Sequence, residues 1–226
     1  MKSFLIAFFV LFSATAAQAL SLDDVSGKDA VGGLRQALTQ GAGKAVDRLG
    51  MVDGFFGNPK VRIPLPENLR KVEGLMRKLG MGKHADELEI AMNRAAEAAV
   101  PEAKTLLVNS IKQMSVKDAK AILTGGDDAA TQYFKRATAE PLTGKFRPIV
   151  KKAMAKVRLA EKYDEFAGKG VKFGLVKEED AHLENYVTAR ALDGLYLMIG
   201  EEERAIRKDP LSAVGSLAKR VFGALR

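Results

Sequence analysis

The sequence contains no cysteine, and this absence excludes several classes of protein. Without cysteine the chain has no disulfide scaffold, so packing alone must hold it together. Thiolate metal sites and thiol nucleophiles are excluded for the same reason. Attachment of a lipid to a cysteine, the anchor of bacterial lipoproteins, is excluded as well.

Histidine is almost as scarce, with only His84 and His182 in 226 residues. Glu87 follows His84 by three residues, and Glu178 and Glu179 precede His182. A catalytic zinc ion needs three protein ligands in suitable geometry, and each of these groups contains a single histidine. The sequence therefore predicts salt-linked surface histidines, with no metal site, no cofactor and no catalytic residue.

The amino terminus has the three parts of an export signal. Lys2 supplies a positive charge, residues 4–12 are an unbroken apolar run, and residues 17–19 (Ala-Gln-Ala) form the pattern that signal peptidase cuts. We therefore expect residues 1–19 to be removed, leaving a free periplasmic product that is not a lipoprotein. An uncleaved signal is the alternative, because residues 4–20 carry no charge and could serve as a short membrane anchor.

Residues 20–226 have the length and composition of one globular domain. No further apolar stretch approaches the roughly 20 residues of a membrane span. Hydrophobic residues make up 47% of the chain, which suffices for a core. No repeat or change in composition divides the segment, so we expect a single domain.

The chain is basic, with a formal net charge of +8. Such a charge often indicates nucleic acid as the partner. Export argues against that partner, because the bacterial envelope holds little nucleic acid. The anions available there are phospholipid headgroups, lipopolysaccharide phosphates and acidic proteins. The charge therefore favours an anionic membrane surface or an envelope protein, with a merely solubilising surface as the alternative.

Hydrophobic residues recur at helical spacing through most of the chain, which predicts an all-α bundle of about eight to nine helices. Gly80 closes one stripe, and Ser115 with Asp118 forms the pattern of a capping box. Asp127 or Asp128 is expected to cap a following helix.

Two boundaries are predicted in the second half of the chain. A separate long helix is expected from Lys145 to Phe166. Gly200 is expected to interrupt a later helix, so that residues 201–203 lie at a helix N-terminus, where the dipole favours acidic side chains.

Two short alternating segments could form a small two-stranded β element. Their apolar residues are Val61, Ile63 and Leu65, followed by Val171, Phe173 and Leu175. Pro64 would confine the first of these strands to an edge.

A glycine-bracketed loop is the first candidate site. It contains Asp53, Phe55, Phe56 and Asn58. Functional residues concentrate on loops, so the two adjacent aromatic residues could form a partner-binding tip. Alternatively, the phenylalanines anchor the loop into the core while the polar residues make local turn bonds.

Basic flanks around an apolar arc mark the second candidate, the helix predicted from residue 145. Interfacial helices lie on anionic membranes in this way. A bundle helix shows the same pattern when it buries its apolar arc and its basic side chains reach around it. The last predicted helix, residues 211–225, has the same ambiguity. The candidate contacts with an anionic surface are Lys145, Lys152, Lys156, Lys219 and Arg220.

A third candidate is an internal ligand pocket. Arg94 with Glu97, and Arg190 with Asp193, are each spaced i, i+3 on predicted helices. If these residues were buried together with Asn93, they would line a pocket. The alternative is structural ion pairing on each helix.

Several segments, taken together, resemble a known family. They include Asp53-Gly54-Phe55, Val61-Arg62-Ile63-Pro64-Leu65-Pro66, Met92-Asn93-Arg94-Ala95-Ala96-Glu97, Ala130-Thr131-Gln132-Tyr133-Phe134, Ala191-Leu192-Asp193-Gly194-Leu195 and Asp209-Pro210. This resembles an exported bacterial family catalogued as a domain of unknown function (four-one-nine-seven). The resemblance implies a helical fold and an envelope location, and it brings no activity, ligand or catalytic residue.

The sequence therefore favours a non-enzymatic periplasmic protein that binds a partner or an anionic envelope component. Two alternatives stay open at this point. One is a helical bundle with an internal small-ligand pocket, and the other is an enzyme with carboxylate-based chemistry.

Overall fold

The computed structural model describes residues 27–78, 80, 82–157, 159–164 and 182–209, and these residues form an all-α fold. The helices are α1 (Gly27–Leu49), α2 (Glu67–Lys78), α3 (Gly82–Ala99), α4 (Ala103–Gln113), α5 (Val116–Thr124), α6 (Ala129–Met154), α7 (residues 159–164) and α8 (Leu183–Lys208). A short 3-10 turn, Val100–Glu102, links α3 to α4. The predicted all-α class and number of helices are confirmed.

Several sequence predictions fall on residues outside the described part of the chain. They are the export signal at residues 1–19, the alternating segment from Val171 to Leu175, and the last helix at residues 211–225 with Lys219 and Arg220.

The core lies where α8 contacts α1, α3 and α6, and the contact between α6 and α8 is the most extensive. Fully buried side chains meet there, including Phe134 and Phe146 of α6, Leu195 of α8 and Met92 of α3. Burying a side chain of this size contributes roughly 1.5–3 kcal/mol. The described helices therefore share one hydrophobic core.

Two local signals in the sequence correspond to observed helix ends. Ser115 and Asp118 form the predicted capping box at the start of α5, with hydrogen bonds in both directions. Gly80 follows α2 with a φ of 77°, a left-handed conformation that glycine adopts at little cost.

The segment Val61 to Leu65 does not form a strand, and no strand occurs among the described residues. Its alternation reflects packing, since Val61, Ile63 and Leu65 are buried while Arg62 and Pro64 are exposed. An alternating pattern predicts which side chains face the core, and it does not specify the backbone's hydrogen-bond partner.

The predicted helix boundary near Lys145 is wrong, because α6 runs without a break from Ala129 to Met154. Pro141 and Pro148 lie inside this helix on its exposed side. Each proline removes one backbone donor, and water can satisfy a carbonyl that is left unpaired on an exposed face. The helix ends at Met154, so the predicted continuation to Phe166 is also interrupted.

All but one of the buried residues of α6 recur at every fourth position. The exception is Thr131, and the others are Ala130, Phe134, Thr138, Leu142, Phe146, Val150 and Met154. Because a turn of α-helix holds about 3.6 residues, a stripe with a four-residue spacing winds around the helix. This winding lets α6 contact α3, α4, α5 and α8 along its length.

The predicted break at Gly200 is also wrong, and its acidic neighbours have a different role. Helix α8 continues through Gly200 to Lys208, so residues 201–203 lie inside it and not at its N-terminus. Gly200 packs against α6, where an added Cβ would lie 3.3 Å from the Thr131 hydroxyl.

Glu203 of α8 caps the first turn of α6. Its carboxylate accepts the backbone N–H of Ala130 and of Thr131, both at 2.9 Å, and the Thr131 hydroxyl at 2.8 Å. Arg207, one turn further along α8, pairs with the same carboxylate at 3.0 Å. Asp128, which the sequence suggests as the cap, makes no side-chain capping bond. An acidic group from another helix therefore satisfies these donors and faces the positive end of the helix dipole.

Replacement of Glu203 by alanine is expected to lower the free energy of unfolding by about 3 kcal/mol, because it leaves buried N–H donors without an acceptor and removes the carboxylate that pairs with Arg207. Urea unfolding followed by circular dichroism measures this loss. Glu201→Ala is the matched control on the same helix. Glu201 pairs with the exposed Lys60, so we expect a loss below about 1 kcal/mol. Equal losses for the two variants would contradict the capping role.

Candidate functional site

Glu97 of α3 binds the loop between α1 and α2 through hydrogen bonds to the loop's backbone. This side chain is 5% exposed, and one of its carboxylate oxygens accepts the backbone N–H of Phe55 at 3.0 Å and of Phe56 at 3.2 Å. The other oxygen pairs with Arg94 at 2.6 Å, and Arg94 in turn reaches Asp53 at 2.7 Å. These hydrogen bonds and this ion pair therefore join the loop to α3.

Asn93 makes a second attachment one helical turn earlier. Its side-chain oxygen accepts the N–H of Ile63, and its amide nitrogen donates to the Ile63 carbonyl, both at 2.8 Å. The side-chain amide of Asn93 thus makes the two hydrogen bonds to the Ile63 backbone that a neighbouring strand would make in a sheet. This explains why an alternating sequence can lie in the core without a β-sheet.

The opposite side of the loop contacts α8. Phe55 is fully buried, and an added Cβ at Gly194 would lie only 2.7 Å from its ring. The Asn58 amide reaches the sulfur of Met198 at 3.9 Å, and the hydroxyl of Tyr186 donates to the Pro64 carbonyl at 3.1 Å. The loop therefore occupies space between α3 and α8, and glycine at 194 permits the close approach of Phe55.

Phe56 differs from Phe55, since it is only half-buried. The guanidinium of Arg62 lies 4.2 Å from the centre of its ring, and that of Arg94 lies 5.9 Å away. Both distances are typical of cation–π contacts. Of the two aromatic residues that the sequence predicts for a partner-binding tip, only Phe56 reaches the surface.

The five residues predicted to line a pocket are divided between two places. Asn93, Arg94 and Glu97 direct their polar atoms to the protein's own loop. Arg190 pairs with Asp193 at 3.1 Å, and both side chains are about half exposed on α8. That second pair lines a groove of about 460 Å³. The geometry therefore matches the i, i+3 ion pairing that the sequence offers as the alternative.

A Glu97→Ala variant is expected to lose about 2 kcal/mol or more of unfolding free energy, because two backbone donors and Arg94 lose their shared acceptor. Hydrogen exchange should also show loss of protection at the Phe55 and Phe56 amides. Glu87→Ala is the matched control, since Glu87 is an exposed carboxylate on the same helix. Retained protection at both amides in Glu97→Ala would contradict this attachment.

A second surface is formed by the basic residues of α6 and the turn after it. We call these residues the basic surface of α6. They are Lys135, Arg136, Lys145, Arg147, Lys151, Lys152 and Lys156, all exposed. None of the seven has an ion pair with another described residue. The basic residues around the loop are different, because Lys60, Arg62, Arg94 and Arg190 each have an acidic partner.

The apolar arc that the sequence places between these basic flanks is largely buried. Phe146 and Val150 are fully buried and Met154 is 4% exposed, while Ala153 lies at the surface. Helix α6 therefore uses its apolar face for packing in the bundle. Its basic side chains remain available to solvent, but its apolar face is not available for insertion into a membrane.

A groove between α6 and α8 borders the basic surface. It has a volume of about 410 Å³, and Lys135, Thr143 and Arg147 line it from α6. On α8, Thr188 lines it with a buried hydroxyl that has no hydrogen-bond partner among the described residues. Tyr196 lies beside it, and burial raises the pKa of its hydroxyl above the usual range. The lining thus contains two basic side chains and one carboxylate, that of Asp193, together with apolar residues such as Leu192.

Sequence reasoning missed this groove. The spacing of four between Lys135, Ala139, Thr143 and Arg147 is present in the sequence, but the prediction divided α6 into two helices at this point. Elsewhere, Asp164, His182 and Glu184 form the one group of potential metal ligands found among the described residues.

The fold and its surfaces define an all-α protein with a basic face, and no described helix is both long and apolar enough to cross a membrane. A family model matches residues 24–223, which is nearly the whole chain. The chain belongs to this family, described as "Protein of unknown function (DUF4197)", and the resemblance noted in the sequence is confirmed. Comparisons with curated proteins and with solved structures found no match.

Proposed function

We propose that this protein is a non-enzymatic exported protein that binds the anionic lipid surface of the envelope. The observation that carries the proposal is the basic surface of α6, in which seven exposed cations lack an ion pair within the described part of the chain. Exposed cations without acidic partners give this part of the protein a positive potential, which attracts an anionic surface.

Binding through this surface is electrostatic and does not require insertion. The apolar face of α6 is buried, so the helix offers only its basic side chains to a membrane. Lys145 and Lys152 share one side of α6, because a spacing of seven residues returns to nearly the same direction at about 100° per residue. Lys156 lies in the turn that follows the helix. Lys219 and Arg220 belong to the proposal as further contacts, on the sequence pattern alone.

The expected test is co-sedimentation with vesicles of anionic or neutral phospholipid. Each basic residue near an anionic surface contributes about 1 kcal/mol. Replacing Lys145, Lys152 and Lys156 together by glutamine should therefore weaken binding to anionic vesicles about 100-fold. Wild-type binding should also weaken at high salt, since the Debye length falls to about 3 Å at 1 M ionic strength.

The matched control replaces Lys60, Lys71 and Lys104 by glutamine. These three lysines are paired with Glu201, Glu67 and Asp47 respectively. Both triple variants lower the net charge by three. They differ because the control removes lysines that have an acidic partner, whereas the test variant removes lysines that have none among the described residues. Equal weakening would show that net charge alone determines binding. The absence of wild-type binding to anionic vesicles at low salt would contradict the proposal.

Export is the second part of the proposal, and the sequence supports it. Residues 1–19 have the charge, the apolar run and the Ala-Gln-Ala site of a cleavable signal. We expect amino-terminal sequencing of the protein recovered from the periplasm to begin at Leu20. A protein that keeps Met1 and sediments with membranes would instead indicate an uncleaved anchor.

A further inference from the structure

We propose that Asp164, His182 and Glu184 bind one divalent transition-metal ion such as Zn²⁺. Each residue offers one ligand atom, and the three atoms lie within 4.8 Å of one another. This cluster is at the N-terminal end of α8 and shares no residue with the basic surface of α6. The inference is therefore independent of the proposed function.

The donor atoms suit this class of ion. An imidazole nitrogen with two carboxylate oxygens favours zinc and its neighbours over Mg²⁺ or Ca²⁺, which prefer oxygen ligands alone. Ligand atoms around a tetrahedral Zn²⁺ lie roughly 3.4 Å apart, as follows from bond lengths near 2.1 Å. All three side chains are at least partly exposed, so small rotations can close the remaining distance.

The backbone places the three ligands together. His182 directly precedes α8, and Glu184 lies in its first turn. Asp164, from α7, is held at the same point because its Oδ1 accepts the backbone N–H of Leu183 at 2.9 Å. Its Oδ2 accepts no hydrogen bond from any other residue that the structure describes. The carboxylate that caps α8 is therefore also a ligand whose position is already fixed.

The charges at this point favour a cation. Neither carboxylate has an ion pair with a described residue. Lys151 and the positive end of the α8 dipole oppose a cation, and the two carboxylates supply the negative charge that binds it.

A groove of about 400 Å³ opens over the cluster, lined by residues that include Lys151, Met154 and Ala160. Three protein ligands leave at least one position of the ion open, and the groove can hold water or a small anion there. The site therefore has the ligand number and the access that distinguish an open zinc site from a closed structural one.

The experiment is isothermal titration of the purified protein, pretreated with a chelator, with Zn²⁺. We expect one ion per chain, and at least tenfold weaker binding in Asp164→Asn and in His182→Ala. The asparagine variant is chosen because its side-chain oxygen can still accept the Leu183 N–H, so the cap is kept while the charge is lost. Circular dichroism verifies that both variants are folded.

His84→Ala is the matched control. His84 forms an exposed pair with Glu87 at 3.4 Å, which resembles the proposed site but lacks a third ligand. This variant should bind Zn²⁺ as the wild type does, and a tenfold excess of Mg²⁺ should not displace the ion. Zn²⁺ should also raise the melting temperature of the wild type but not that of His182→Ala. The proposal is overturned if the wild type shows no saturable site, or if His182→Ala binds Zn²⁺ with unchanged affinity.

Discussion

The interaction on which the rest of the structure depends is the one between Glu203 and the first turn of α6. It joins α6 and α8, the two longest described helices, at one point and so sets how far one is shifted along the other. The extensive contact between the two helices depends on this alignment. The groove beside Thr188 lies between these helices, and the exposed side of α6 carries the basic surface. Both features would change if α6 were rotated or shifted along α8.

The same type of interaction occurs twice in the molecule, namely a buried glutamate that binds backbone N–H groups of a distant segment. Glu97 and Glu203 are both buried carboxylates that accept two backbone N–H groups from a distant segment. Each is also held by an arginine on its own helix, Arg94 three residues before and Arg207 four residues after. A buried charge is costly unless it is paired and hydrogen-bonded, and here both conditions are met. Each carboxylate thereby links elements that the chain separates widely.

The sequence predicted the helical class and one helix cap correctly, but it failed at the boundaries near Lys145 and Gly200 and at the long-range contacts. Helical spacing and the Ser115–Asp118 capping box depend on neighbouring residues, and both are confirmed. The capping role of Glu203 could not be predicted, because its partners are 72 and 73 residues away in the chain. In the same way, the sequence suggests Asn93 and Glu97 as lining residues of a ligand pocket, because nothing nearby in the sequence indicates that the protein's own loop is their partner. Proximity of Asp164 to His182 likewise depends on tertiary structure.

The separation of 73 residues between Glu203 and Ala130 has a consequence for how the chain folds during synthesis. While the ribosome has produced only the segment up to α7, the first amides of α6 lack their acceptor and the loop at Phe55 has no helix on its second side. The native topology therefore closes only after α8 has been synthesised.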